Sequence, residues 1–197
     1  MIAFTLDAAP GRSGRQDADT EKCIRKIARG DKQALAQLYR DTGAAVYGFA
    51  LSLLGNVQEA EDIQQDVFIR IWQSAGSYKA QGKPLAWIFT ITRNLALMRF
   101  RDQKRTIAMT EEDWQAVFAD RVQMDSEDRI ILKSLIETLS REEQNIVMLH
   151  AVAQLKHREI AQILDLPLST VLSKYNRALK KLKQAIKETD DSKGGRK

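Results

Sequence analysis

Apolar residues recur along this chain at intervals of three and four, the spacing of one helix face, and nowhere alternate as a half-buried strand requires. Glycine and proline, 10 and 3 in 197 residues, are too scarce to break the pattern often. The spacing predicts an all-α protein. Asp19 or Thr20 is placed to cap a first short helix carrying Ile24, Ile27 and Ala28, which stops at Gly30; Asp31 then restarts a helix through Leu35, Leu38 and Tyr39. From Ala44 to Leu54 nearly every position is apolar, which predicts a helix buried on most sides and ended by Gly55-Asn56. Asn56 caps the next helix, whose stripe Ala60, Ile63, Val67, Ile71 turns Glu61, Asp62, Gln65 and Asp66 outward.

Ser74 to Pro84 (SAGSYKAQGKP) holds two glycines and a proline and reads as a loop between strong helices. The helix after it starts near Leu85 with Pro84 in its first turn, and Trp87, Ile88, Ile91, Leu95 and Met98 carry its apolar spacing up to Arg105. Residues 106–127 are polar and acidic without periodicity, which predicts a flexible linker. Beyond it, Ile131, Leu132, Leu135, Ile136 and Leu139 form one amphipathic helix, and Ser140-Arg-Glu-Glu143 is a capping box opening a helix over 141–153. Then come a helix over 158–164, a break at Asp165-Leu166-Pro167, and a helix over 170–186 with Ser169 as N-cap. Two short helices joined by about four residues make a helix-turn-helix. Its inner face is Ile160, Ala161, Leu164, Val171, Tyr175, Ala178 and Leu179, and Asp165 stands where the turn wants a positive φ. The organisation expected is a disordered tail over 1–19, a helical domain over 20–105, the linker over 106–127, a helix-turn-helix domain over 128–187, and a disordered tail over 188–197.

Charge adds a direction. The formal net charge of +5 hides opposed segments. Residues 56–69 carry Glu59, Glu61, Asp62 and Asp66 and no base; residues 93–105 carry Arg93, Arg99, Arg101, Lys104 and Arg105 against Asp102 alone. The linker is acidic again, and residues 169–187 hold Lys174, Arg177, Lys180, Lys181, Lys183 and Lys187 without an acid. Two basic segments divided by an acidic connector predict two surfaces that meet a polyanion, against the plainer reading of solvated helix faces. Cys23 is the only cysteine, so no intrachain disulfide exists, and with His150 and His157 as the only histidines no metal site or cofactor is expected. No apolar run approaches the ~20 residues of a membrane span, and the first 20 residues lack the apolar core of a secretory signal, which places the chain in the cytoplasm.

At this point the motifs resemble the extracytoplasmic-function (ECF) sigma factors of bacterial RNA polymerase, over residues 24–186. AEDIQQDVFIRIW (60–72) is similar to the family's region 2.2, PLAWIFTITRNLALMRFR (84–101) to regions 2.3 and 2.4, and HREIAQILDLPLSTVLSKYNRALKKLK (157–183) to region 4.2. The resemblance implies a σ2-like helical bundle and a σ4-like helix-turn-helix domain, with promoter recognition at the −10 and −35 elements, promoter melting, and core RNA polymerase, promoter DNA and an anti-sigma factor as partners. It implies that Glu61, Asp62, Gln65 and Asp66 bind the polymerase β′ coiled coil, whose basic residues complement them. At the −10 element it implies Tyr78 in the pocket for a flipped base, Trp87 and Asn94 at the melted strand, and Arg93, Arg99, Arg101 and Arg105 on phosphates. Trp87 fits a core role equally well. At the −35 element it implies Thr170, Ser173, Lys174, Asn176 and Arg177 in the major groove, with Lys180, Lys181 and Lys183 on phosphates. The chain departs from the family at Met98, often Asp, at Leu172, commonly Arg or Lys, and at Lys174, frequently Arg; lysine there is a point charge in place of a bidentate fork.

The rival reading is a self-sufficient helix-turn-helix regulator whose N-terminal domain binds a ligand or dimerises. An acidic helix followed by an aromatic and basic one distinguishes the two, since a plain repressor requires neither. An enzyme is disfavoured: the sequence has no Gly-rich phosphate loop, nucleophile elbow or clustered metal ligands.

Overall fold

The computed structural model describes residues 14–103 and 138–194, and every described element is helical. The acidic linker, Lys104, Arg105 and the amphipathic stretch 131–136 lie outside the described residues. The helices are α1 (Gly14–Ile27), α2 (Lys32–Leu54), α3 (Val57–Ser74), α4 (Pro84–Gln103), α5 (Arg141–Val147), α6 (His157–Leu164) and α7 (Leu168–Gly194). A 3₁₀ turn, Ala75–Ser77, comes after α3, and a π-helical segment, Met148–Val152, after α5.

Local chemistry sets most of the boundaries. Asp31 Oδ1 accepts from the backbone N–H of Gln33 (2.9 Å) and Ala34 (3.0 Å), and Asn56 Oδ1 from that of Glu59 (3.0 Å), each such cap stabilising by about 1 kcal/mol. Gly55, at φ 68°, closes α2 in the left-handed conformation that costs a side chain energy. Ser140 and Glu143 form the predicted capping box, with Ser140 N–H donating to Glu143 Oε2 at 2.8 Å. Asp165 adopts φ 55° at the end of α6, as the turn demands.

Four boundaries differ from expectation. The segments around Leu38 and Leu51 are one helix, α2, because Thr42 returns its hydroxyl to the Leu38 carbonyl (2.7 Å) and Gly43 continues the helix. α1 begins at Gly14, ahead of Asp19 and Thr20, and Thr20 lies inside it, buried, donating to the Gln16 carbonyl at 2.9 Å. α7 begins at Leu168 and runs to Gly194, so Ser169 is inside the helix; Val171 N–H bonds the Pro167 carbonyl (3.1 Å), which puts Pro167 where a cap would stand. The helix predicted over 141–153 widens at Met148: Ala153 N–H reaches the Met148 carbonyl five residues back (3.2 Å), a π turn.

The first module packs α2, α3 and α4 around Phe49, Ile63, Ile71, Ile88 and Phe89, with Phe49 and Phe89 edge to face at 5.6 Å. Gly43 lets α3 come close: Gln64 Nε2 donates to its carbonyl at 2.9 Å, and a Cβ there would stand 3.3 Å from that nitrogen. The second module buries Ile146, Leu149, Ile160, Ile163 and Val171. These belong to the same buried cluster as Ile24, Phe49 and Phe89, so the two modules share one apolar core, with α4 against α6 and α2 against α5 and the π segment. Arg93, expected on DNA phosphate, seals this contact; its Nη2 donates to the Leu164 carbonyl (3.3 Å) at the C-terminal end of α6, where the helix dipole favours a cation.

Candidate nucleic-acid interface

The loop between the 3₁₀ turn and α4 is built around Tyr78. Its ring lies 5.0 Å from that of Trp87, and its hydroxyl donates to Glu21 Oε1 on α1 at 3.0 Å. Burial, together with that carboxylate acceptor, pushes the Tyr78 hydroxyl well above its ordinary pKa, so it stays a neutral donor. Trp87 is half-buried beneath it, which reconciles its two predicted roles: one part of the ring packs on the core while the rest faces the loop. Trp87, Asn94 and Arg101 are spaced by sevens along α4 and therefore share one stripe of that helix, drifting only about 20° per step. Asn94 and Arg101 are exposed, so an aromatic, an amide and a cation succeed one another on one solvent-facing line that begins at Tyr78.

Arg99 faces elsewhere. Its Nη2 is 3.5 Å from Asp62 Oδ2 and 4.0 Å from Asp66 Oδ2, which ties it to the acidic stripe of α3. Glu61, Asp62, Gln65 and Asp66 are all exposed, the surface a basic partner helix would need. Ile69, one turn beyond Asp66, is 55% exposed on the same face, and Met98 is 56% exposed on α4 beside Arg99. Met98, expected in the apolar spacing of α4, instead points to solvent. Sequence reasoning also passes over Ile69, although its place three residues after Asp66 on the polar side of the α3 stripe is a readable signal.

On α7, Ser173, Asn176, Arg177 and Lys180 are exposed at one-turn spacing and make a single face, with Thr170 half-buried at its start. Lys183 and Lys187 extend it, lining a groove with Asn176 and Leu179. Lys174 and Lys181 lie on another side: Lys174 Nζ is paired with Glu142 and Lys181 Nζ with Glu143 (2.7 Å), both on α5. Glu143 is 2% exposed. Burial alone would raise its carboxyl pKa, but the Lys181 ammonium and the Ser140 N–H outweigh that and hold it below the usual carboxylate range. Leu172, where the family commonly carries a base, is 41% exposed.

Residues 38–106 match the model of sigma-70 region 2, and residues 129–182 match that of sigma-70 region 4. Among curated relatives, the chain is 29% identical to the ECF RNA polymerase sigma factor SigK of Mycobacterium ulcerans, over 89% of this chain and 97% of that one. It is 27% identical to the ECF RNA polymerase sigma factor SigW of Bacillus subtilis, over 85% and 97%. The chain belongs to the ECF sigma factors of the sigma-70 family. Its fold is similar to that of CnrH solved with the cytosolic domain of CnrY (TM-score 0.61, 22% identity, 86% of this chain and 98% of that one). It is also similar to the sigma factor RpoE solved with the anti-sigma factor NepR from Bartonella quintana (TM-score 0.56, 24% identity, 77% and 96%).

In this sigma factor the acidic stripe of α3 and the Trp87 line of α4 fall within the matched region 2, and the exposed α7 residues Ser173, Asn176, Arg177 and Lys180 within region 4. The two histidines are both in region 4. His150 and His157 stack at 4.4 Å, and Tyr175 of α7 sets its ring edge-on to each, at 4.8 and 4.6 Å. His150 Nδ1 is 2.8 Å from the Leu155 carbonyl, whereas buried His157 Nε2 has no partner. Burial, and then the neighbouring His150, lower the His157 pKa below its ordinary 6.5. Among the described residues no three His, Cys, Asp or Glu side chains are grouped to hold a metal ion.

Proposed function

We infer that this sigma factor gives core RNA polymerase its promoter specificity, recognising −35 and −10 elements and assisting the melting of the latter. The observation that carries the reading is the pairing, on two helical modules of one chain, of a region 2 match and a region 4 match with exposed surfaces suited to different partners. The acidic stripe Glu61, Asp62, Gln65, Asp66 takes core polymerase by charge complementarity. Tyr78, Trp87, Asn94 and Arg101 take the opened −10 strand, the aromatics holding an unstacked base and the arginine a phosphate. Asn176 and Arg177 enter the −35 major groove from α7, with Lys180 and Lys183 on the backbone. A self-sufficient helix-turn-helix regulator is not favoured, because the relatives, aligned over 89% and 85% of this chain, are named sigma factors.

The protein acts in transcription initiation as a specificity subunit and performs no chemistry of its own. Both structural neighbours were solved with a second protein bound, in one case an anti-sigma factor. An anti-sigma factor is accordingly the regulator we assign here. The site of action is the cytoplasm, where the polymerase is; among the described residues no helix is long and apolar enough to cross a membrane. The test is in vitro transcription with core enzyme on a fragmented genomic template. Initiation from defined starts only when the protein is added is the expected result, and no protein-dependent start on any template would refute the assignment.

A further inference from the structure

Glu21 lies on α1, outside both matched regions, yet it is bonded into the loop that precedes α4. One of its oxygens, Oε1, accepts from the Tyr78 hydroxyl (3.0 Å) and from the Gly82 backbone N–H (2.9 Å), partners 57 and 61 residues away. Gly82 is at φ 69°, so this part of the loop is held in a left-handed turn, and the carboxylate fixes a backbone group beside it. Two donors on one oxygen define the distance between the points they join. The two points bracket Lys79, Ala80 and Gln81, all three exposed. The same bond fixes the hydroxyl end of Tyr78 while Trp87 packs on its ring.

We propose that Glu21 is a positioning residue for −10 recognition, setting from α1 the conformation of the 78–82 loop and the orientation of Tyr78 that meets the unpaired base. This rests on the reading of Tyr78 as a −10 contact. Glu21 itself touches no DNA; it acts through Tyr78 and Gly82. Its charge is not what matters, since both donors are neutral and an amide oxygen could accept from them.

The experiment uses the full chain reconstituted with core polymerase and measures affinity for a single-stranded −10 oligonucleotide, base preference at the flipped position, −35 duplex binding and core association. Glu21→Ala is expected to weaken the −10 strand about tenfold and flatten its base preference, leaving −35 binding and core association unchanged. Glu21→Gln, which keeps an acceptor oxygen, should stay within about twofold of wild type, and Tyr78→Phe, which loses one donor and keeps its ring, should fall about threefold. If Glu21→Ala behaves as wild type while Tyr78→Ala is impaired, the positioning role is overturned and the reading of Tyr78 stands. If Tyr78→Ala is also wild type, that reading fails and the inference with it. Equal loss of −10, −35 and core binding in Glu21→Ala, or a Gln variant as damaged as Ala, would also overturn it, marking Glu21 as a general structural residue or its bonding as other than described.

Discussion

Arg99 of α4 and Asp62 of α3 are joined across the first module at 3.5 Å, so a cation predicted to lie on promoter phosphate is bonded to the face predicted to bind polymerase. Both groups are partly solvated, and an exposed pair of this kind contributes about 0–1 kcal/mol to the fold. Its larger effect is on charge: it lowers the net negative potential of the stripe and leaves Glu61 and the second Asp66 oxygen to a partner. Reversing Asp62 and Asp66 together to arginine should cut core polymerase association at least tenfold, read by co-elution, with the melting temperature nearly unchanged. Undiminished association would exclude this face as the docking surface.

Two cations of α7 should separate in their effects. Arg177 is exposed on the outward face, so Arg177→Ala is expected to weaken −35 duplex binding and lessen the salt dependence by about one ion, without changing stability. Lys181→Met strands the buried Glu143 carboxylate and should destabilise the second module by about 1–3 kcal/mol in denaturant titrations. If Lys181→Met melted like wild type and lost only DNA affinity, Lys181 would belong on phosphate after all.

Acid should loosen the second module in two stages. His157 is held neutral by burial and by His150, so the unfolded chain binds its proton more readily than the folded one. Its stabilising effect is complete above about pH 6.5 and is lost as pH falls from there through its lowered folded value. Glu143, also lowered, contributes stability above its unfolded value of 4.5 that disappears as pH falls through its folded value. His157→Phe keeps the stacked ring, removes an unpartnered buried nitrogen, and should abolish the first stage while leaving the second. Thermal melts between pH 7 and pH 3 would show whether the upper stage persists in that variant, which would exclude His157 as its source.

Arg93 should govern how tightly the modules hold each other. Arg93→Ala removes the bond to the Leu164 carbonyl and should weaken docking by about 1 kcal/mol, seen as faster proteolysis between the modules or a larger radius of gyration in solution scattering. Identical scattering and cleavage would mean that the shared apolar core holds the arrangement unaided.

The range of each interaction decides how legible it was. Caps are local, so Asp31, Asn56, Gly55 and the Ser140 box were readable from a few neighbours, and so was the positive φ of Asp165. The helix-turn-helix inner face came from periodicity, with Ile160, Ala161, Val171 and Ala178 buried as expected. Ser169 lost its cap role because the proline two residues earlier supplies the first carbonyl of α7, a competition that residue preferences alone do not rank. Burial of Met98 could not be judged from spacing, since an apolar residue at the edge of a stripe fits either side. Interactions spanning 57 or more residues, Glu21 with Tyr78 and Arg93 with Leu164, left no trace in the pattern: neither end is unusual for its own helix. The same holds for the joining of the two cores, because each module's stripe is satisfied on paper by its own helices.

The π segment at Met148–Val152 has a consequence for the aim of α7. A π turn accommodates one surplus residue, and each residue of an ordinary helix rotates the rest of the chain by about 100°. Excising a single residue there would remove the surplus and return the coil to regular winding with the downstream hairpin near its present heading, whereas winding all five residues as ordinary α-helix would swing it by roughly that angle and break the stack of His150 on His157. The heading of the basic face of α7 is thus kept by a bulge lying outside the hairpin, and one further residue inserted among those five inconspicuous positions would turn that face without altering any side chain of α7.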